Sequence, residues 1–309
     1  MQGISLAETM PIMVTQTVAM FLMMGVGVVL VKAKYLDNHG AAQMANVALY
    51  VANPAITITA FATTFEMEKL IDGAICMVLT WAFTFVAAVI GWFVYRERQR
   101  ISQLGIMISN MGFVGIPLVQ AVLGEEYVFC VTACIAAQVP ITFSYGIWLI
   151  SQDKEEVSPR RVLTNPAVAA VFVGVLLFLG SVHLPGVVES TASGLAGLNT
   201  GLAMLVLGSY LAQADIRGIL RNKNLYLTNF LRLLAVPLLV VICMLPLPLP
   251  TPIKLALLIA FAAPCGTVTA IFPQMFGKDY RFGAGLVSSS TLLSLITMPC
   301  LLGIGLVLF

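Results

Sequence analysis

The chain has 309 residues, of which 60% are hydrophobic and only 10% charged, with a formal net charge of +2 and a mean hydropathy of +0.98. Soluble domains carry about 25% charged residues, so a water-soluble fold of this length would lack the polar surface to cover its core. The near-neutral balance argues against nucleic acid as a partner, and ten spans of about 30 residues, loops included, would leave no room for a soluble catalytic domain.

Apolar stretches alternate with short polar clusters, and most are long enough to cross a bilayer. The pattern predicts an all-α integral membrane protein with helices at about 10–31, 40–62, 70–94, 102–124, 128–150, 163–181, 191–212, 225–245, 252–276 and 283–308. The first stretch has no basic region before it and no small-residue cleavage pattern after it, so it is expected to be a retained span rather than a leader. Helix 2 carries Asn46, Asn53 and Pro54, and helix 7 is rich in Gly, Ser and Thr. The six cysteines all fall in apolar stretches with no zinc or disulfide spacing and read as small buried hydrophobes. His39 and His183 fall in expected loops, so no metal site and no cofactor is predicted.

Basic residues follow the odd-numbered helices: Lys32 and Lys34, then Arg96, Arg98 and Arg100, then Lys154, Arg160 and Arg161, then Arg217, Arg221 and Lys223, then Lys278 and Arg281. Only Lys69 and Lys254 follow even-numbered ones. The positive-inside rule therefore predicts a plasma (inner) membrane protein with both termini outside the cytoplasm. The polar run at 152–161 divides the chain into five helices before it (1–151), a cytoplasmic linker (152–162) and five helices after it (163–309). Halves that begin on opposite sides of the bilayer must be inverted repeats if they share a fold.

The fourth helix of each half is the one most interrupted. Helix 4 contains the run from Ser109 and Asn110 through Gly112 and Gly115 to Pro117, and helix 9 contains Pro264, Gly266, Thr267 and Thr269. Paired interruptions at matching positions point to a transporter binding site, because unwound backbone at membrane depth survives only where it lines a cavity or is buried in protein. Asn53-Pro54 is a third polar interruption, whereas Asn165-Pro166 reads as an ordinary helix start. The expected substrate contacts are Asn53, Asn110, Gly112, Pro117, Pro264, Gly266 and Thr267. No Asp or Glu lies near the centre of a span, which counts against a cation pump. Neutral donors and the positive ends of half-helices suit an anion, above all a carboxylate. Arg232, about 10 Å into helix 8 at 1.5 Å per residue, reads either as a side chain snorkelling to the interface or as part of a gate, an anion path or a helix-docking contact. Nothing resembles the paired acids or Ser–His pair of an intramembrane enzyme, so no enzymatic activity is expected.

Several runs resemble the auxin efflux carrier family in the right order: Asn53-Pro54-Ala55, the stretch from Asn110 to Leu118, Tyr145-Gly146-Ile147-Trp148, and Ser290-Thr291-Leu292-Leu293-Ser294 ahead of Pro299. Arg232 followed by Pro237 is similar to that family's helix 8. The resemblance implies ten transmembrane helices in two inverted five-helix repeats, broken crossover helices 4 and 9, and a scaffold part distinct from a transport part. It assigns the crossover asparagine to Asn110 and the crossover proline to Pro264, with Ser109 standing where plant members place a proline. It also implies a permease that exports or exchanges small organic anions such as mono- or dicarboxylates; dimers occur in the family. The alternative within transport is a sodium-coupled symporter of the related bile-acid transporter fold, with sodium held by hydroxyls such as Ser288, Ser289 and Ser290.

Overall fold

Backbone in contact with lipid must satisfy its polar groups within its own segment, so long apolar runs fold as helices. The computed structural model describes residues 6–213 and 222–309. Among these residues it is all-helical, with a single isolated β-bridge. The helices are α1 (Leu6–Lys32), α2 (Asn38–Phe61), α3 (Met67–Tyr95), α4a (Arg100–Met107) and α4b (Met111–Val122), α5 (Glu125–Ser151), α6 (Pro166–Leu179), α7 (Gly186–Gln213), α8 (Lys223–Met244), α9a (Thr251–Ala262) and α9b (Val268–Met275), and α10 (Tyr280–Leu308). Six of them, α2, α3, α5, α7, α8 and α10, are long and apolar enough to cross a membrane, and shorter apolar helices accompany them. Arg217 and Arg221, assigned above to the loop after helix 7, lie outside the described residues.

Pro54 and Pro117, expected to interrupt their helices, do something milder, and Pro237 does the same. Asn53-Pro54, Ile116-Pro117 and Val236-Pro237 each follow a π-helical turn, at Ala48–Ala52, Met111–Gly115 and Leu231–Ala235. The N–H before each proline reaches five residues back, Asn53 to Ala48, Ile116 to Met111 and Val236 to Leu231. A proline cannot donate to the carbonyl four residues earlier and its ring crowds that carbonyl. Widening the preceding turn relieves the crowding and keeps the helix continuous. Helix 2 is therefore widened at Asn53-Pro54, not broken. Asn165 caps α6, its side-chain oxygen accepting the Ala167 N–H at 3.0 Å, as expected of a helix start.

The helices sort into two packed groups. α1 runs along α7, α6 along α2, and α2 packs against α7. In the other group α3 packs on α5 and α4a, α8 on α9a and α10, and α10 on both parts of α9. The α1–α7 contact is close because it is made by glycines. A methyl on Gly208 would fall on the Met24 carbonyl, and one on Gly27 would fall on the Leu205 carbonyl. Small residues that admit backbone-to-backbone approach are the usual membrane solution, since lipid gives helices no hydrophobic reason to associate.

His39 sits in the first turn of α2 rather than in a loop, bonded to Gln43. All six cysteines are free; Cys243 and Cys300 are exposed on the helix surfaces, whereas the other four are buried as expected.

Candidate functional site

The two interrupted helices meet at their breaks. α4a stops at Met107 because Ile108 is extended and Ser109-Asn110 follow, residues whose side chains compete for backbone partners. α9a stops at Ala262 because Pro264 drives Ala263 out of the helical region, to ψ 147°. Each break supplies what the other lost. Ser109 and Cys265 form an antiparallel bridge, the Asn110 N–H donates to the Pro264 carbonyl (2.9 Å), and the Gly266 N–H donates to the Ile108 carbonyl (2.9 Å). A side chain at Gly266 would meet Ile108 Cγ2 at 2.9 Å, so the crossing needs glycine there.

Neighbouring helices fix the crossing from the sides. The Ser109 hydroxyl donates to the Ala260 carbonyl (2.8 Å), and the Cys265 N–H donates to Ser290 Oγ (3.2 Å) on α10. On α5, the Gln138 amide, oriented to suit its neighbours, donates to the Ser109 carbonyl (3.1 Å) and accepts from the Ser109 N–H (3.3 Å).

Arg232 is completely buried, which overturns the snorkelling expectation. Its Nε donates to the Ala263 carbonyl (3.1 Å), Nη1 to Ile106 (3.1 Å) and Nη2 to Phe261 (3.1 Å) and Ala263 (2.9 Å). These carbonyls close the C-terminal ends of α4a and α9a, the negative ends of their dipoles. Because these partners sit 126, 29 and 31 residues away, local sequence held no trace of the arrangement.

The N-terminal, positive ends of α4b and α9b meet at a cavity of about 70 Å³. Its lining includes Asn53, Ser109, Asn110, Gly112, Gln138, Thr142, Gly266 and Thr267, with apolar wall from Leu49, Ile135 and Phe143. The first residues of α4b and of α9b both contribute to it, and neither helix has a side-chain cap at Asn110 or Thr267. Asn110 is buried, yet its Nδ2 has no hydrogen-bond partner. The Gly112 carbonyl accepts from Asn199 Nδ2 (3.2 Å) on α7, and Asn53 Oδ1 lies 3.4 Å from where a Gly112 side chain would begin, so both α2 and α7 reach this end of α4b.

Of the residues predicted from sequence, Asn53, Asn110, Gly112, Gly266 and Thr267 come together at this cavity. Pro264 is embedded in the crossing, and Arg232 is not among the lining residues. Pro117 lines a second cavity of about 660 Å³ between α2, α4b, the start of α5 and α7, which begins about a turn beyond Asn53 and Gly112, at Ile56 and Ile116. Sequence reasoning missed Gln138 and Thr142. The available signal was a glutamine inside an apolar run two residues before Pro140.

No individual curated protein matches the chain. A family profile described as membrane transport protein matches residues 12–302, nearly the whole length, with both breaks, Arg232 and the cavity inside the match. The chain therefore belongs to that membrane transport family, the family of the auxin efflux carriers.

Proposed function

We propose that the chain is a secondary transporter of small organic anions, with a substrate carboxylate held at the cavity between the breaks of α4 and α9. One observation carries the reading: two helix N-termini without side-chain caps line one cavity beside the buried, unpartnered amide N–H group of Asn110. The unpartnered amide of Asn110 and two positive dipole ends favour a negative guest, and the low-dielectric surroundings of a helix bundle strengthen the attraction. Leu49, Ile135 and Phe143 would lie against the rest of the ligand.

The same reading takes ten membrane-crossing helices in two inverted repeats, in the plasma membrane with the termini outside. Packing supports it. Exchanging each helix with the one five places on turns the α1–α7 contact into α6–α2, α3–α5 into α8–α10, and α3–α4a into α8–α9a, all of which occur. Gln138 and Ser290, each the eleventh residue from the α-helical starts at Val128 and Tyr280, hold the middle residues of the two breaks. Alternating access would then come from motion of the group holding the crossing against the α1, α2, α6, α7 frame. The larger cavity lies along that boundary.

A ligand that binds only the folded state raises its stability, by about 2.7 kcal/mol at a hundred times its dissociation constant. Thermal unfolding of the purified protein against a panel of mono- and dicarboxylates should reveal stabilising anions, and those anions should be carried in proteoliposomes. Stabilisation and flux restricted to cations or neutral solutes would sink the proposal.

A further inference from the structure

We infer that Arg232 occupies the place a coupling cation would take, so that the crossing is held by a cation built into the chain. Ion-coupled transporters hold their ion on carbonyls of unwound backbone and on the C-terminal ends of half-helices. Oxygens of that kind converge here, from Ile106 at the end of α4a and from Phe261 and Ala263 at the end of α9a. Their guest is a fully buried guanidinium at 2.9–3.1 Å. Each helix end carries about half a negative charge, so two ends together balance about one positive charge. That balance explains how the guanidinium persists on carbonyl oxygens, its four described bonds all running to backbone.

A tethered cation cannot leave at the end of a transport cycle, so no ion gradient can do work through this site. Arg232 is a positioning residue that fastens two half-helix ends through carbonyls of residues that do not line the anion cavity. The inference rests on the transport reading and not on the identity of the substrate.

The test is thermal unfolding of the full-length protein in detergent, as wild type, Arg232→Ala and Arg232→Met. Each is measured in choline chloride with sodium, potassium or guanidinium chloride added at low millimolar levels, far below the molar range in which guanidinium denatures. Wild type should melt at one temperature in all of them. The neutral variants should melt lower in choline and recover saturably with an added cation, guanidinium acting most strongly on the Ala variant. At about ten times its dissociation constant the cation should shift the folding equilibrium about tenfold. Should the neutral variants fail to fold, Arg232→Lys decides, since it keeps the charge and should fold and stay indifferent to added cations.

Neutral variants that melt like wild type or respond to no cation would overturn the inference. So would a Lys variant that gains a sodium response, or a wild type stabilised saturably by sodium. No substrate anion enters this measurement, so its failure and a failed carboxylate screen are separate results.

Discussion

Ser109 and Cys265 pair as an antiparallel β-bridge where α4 and α9 are both interrupted, which makes the two breaks one structural unit. Gln138 holds one side of the bridge and Ser290 the other. Ties to one network are not independent. Gln138→Ala and Ser290→Ala should each cost about 1 kcal/mol of stability. The double variant should depart from their sum by about 0.5 kcal/mol or more. Unfolding of the four proteins in one detergent gives the cycle, and simple additivity would mean that the breaks are held separately.

Asn110→Ala should impair transport while leaving expression and folding nearly intact. The amide has no protein partner for its Nδ2, so removal strands little inside the protein but takes a donor from the cavity. The expected loss of substrate interaction is about 1–3 kcal/mol. Asn165→Ala removes a helix cap instead, costing about 1 kcal/mol of stability, and flux per folded molecule should be unchanged. Equal, severe transport losses in both variants at normal protein levels would move the site away from α4.

A carboxylate introduced at the start of α9b should repel the proposed substrate. Thr267→Asp is expected to suppress anion binding and flux, whereas Thr267→Ser keeps the hydroxyl and should be tolerated. Both need a folding check, by size-exclusion profile, before flux is measured. Full anion affinity in the Asp variant would rule out the site.

The α1–α7 contact makes a prediction about stability alone. Gly208→Val forces a branched side chain onto the Met24 carbonyl and should lower stability by about 1–3 kcal/mol or more, read as a drop in melting temperature. Gly194 on the same helix has open space around it, and Gly194→Ala should be neutral or gain about 0.4–1 kcal/mol. A Gly208 variant as stable as wild type would show that α1 and α7 do not depend on close approach.

The inverted topology can be read from labelling. Single cysteines at Thr64 and Gln152, both exposed, should react with an impermeant thiol reagent from opposite faces of the membrane. A background without native cysteines is required, since Cys243 and Cys300 are exposed. Labelling of both positions from the same side would overturn the proposed arrangement.

The helices themselves were legible because apolar run length is a local property, and the breaks were legible as polar and helix-breaking residues clustered in 109–117 and 263–269, wider than the unwound stretches at 108–110 and 263–267. Which prolines break a helix was not. Pro264 ends one and Pro117 does not, and the difference lies in whether a second broken backbone stands opposite to take the freed hydrogen bonds. For Arg232 the choice between snorkelling and helix docking was not legible, since its carbonyl partners come from helices remote in the chain. Thr142 gave no signal at all, because nothing about a threonine in an apolar helix says which face meets a cavity.

The π turns ahead of Pro54, Pro117 and Pro237 also bear on how length can vary in this chain. A π turn absorbs one residue beyond the α-helical count, so the helix after it keeps the heading it would have without that residue. Removing one residue within Ala48–Ala52 would thus leave Asn53 and everything beyond it aimed as before, whereas a deletion one turn earlier would swing the same side chains by about 100° around the axis. The deletion would in turn bring the Pro54 ring against the carbonyl four residues back. Proline and surplus residue hold each other in place, and losing either alone costs more than losing both.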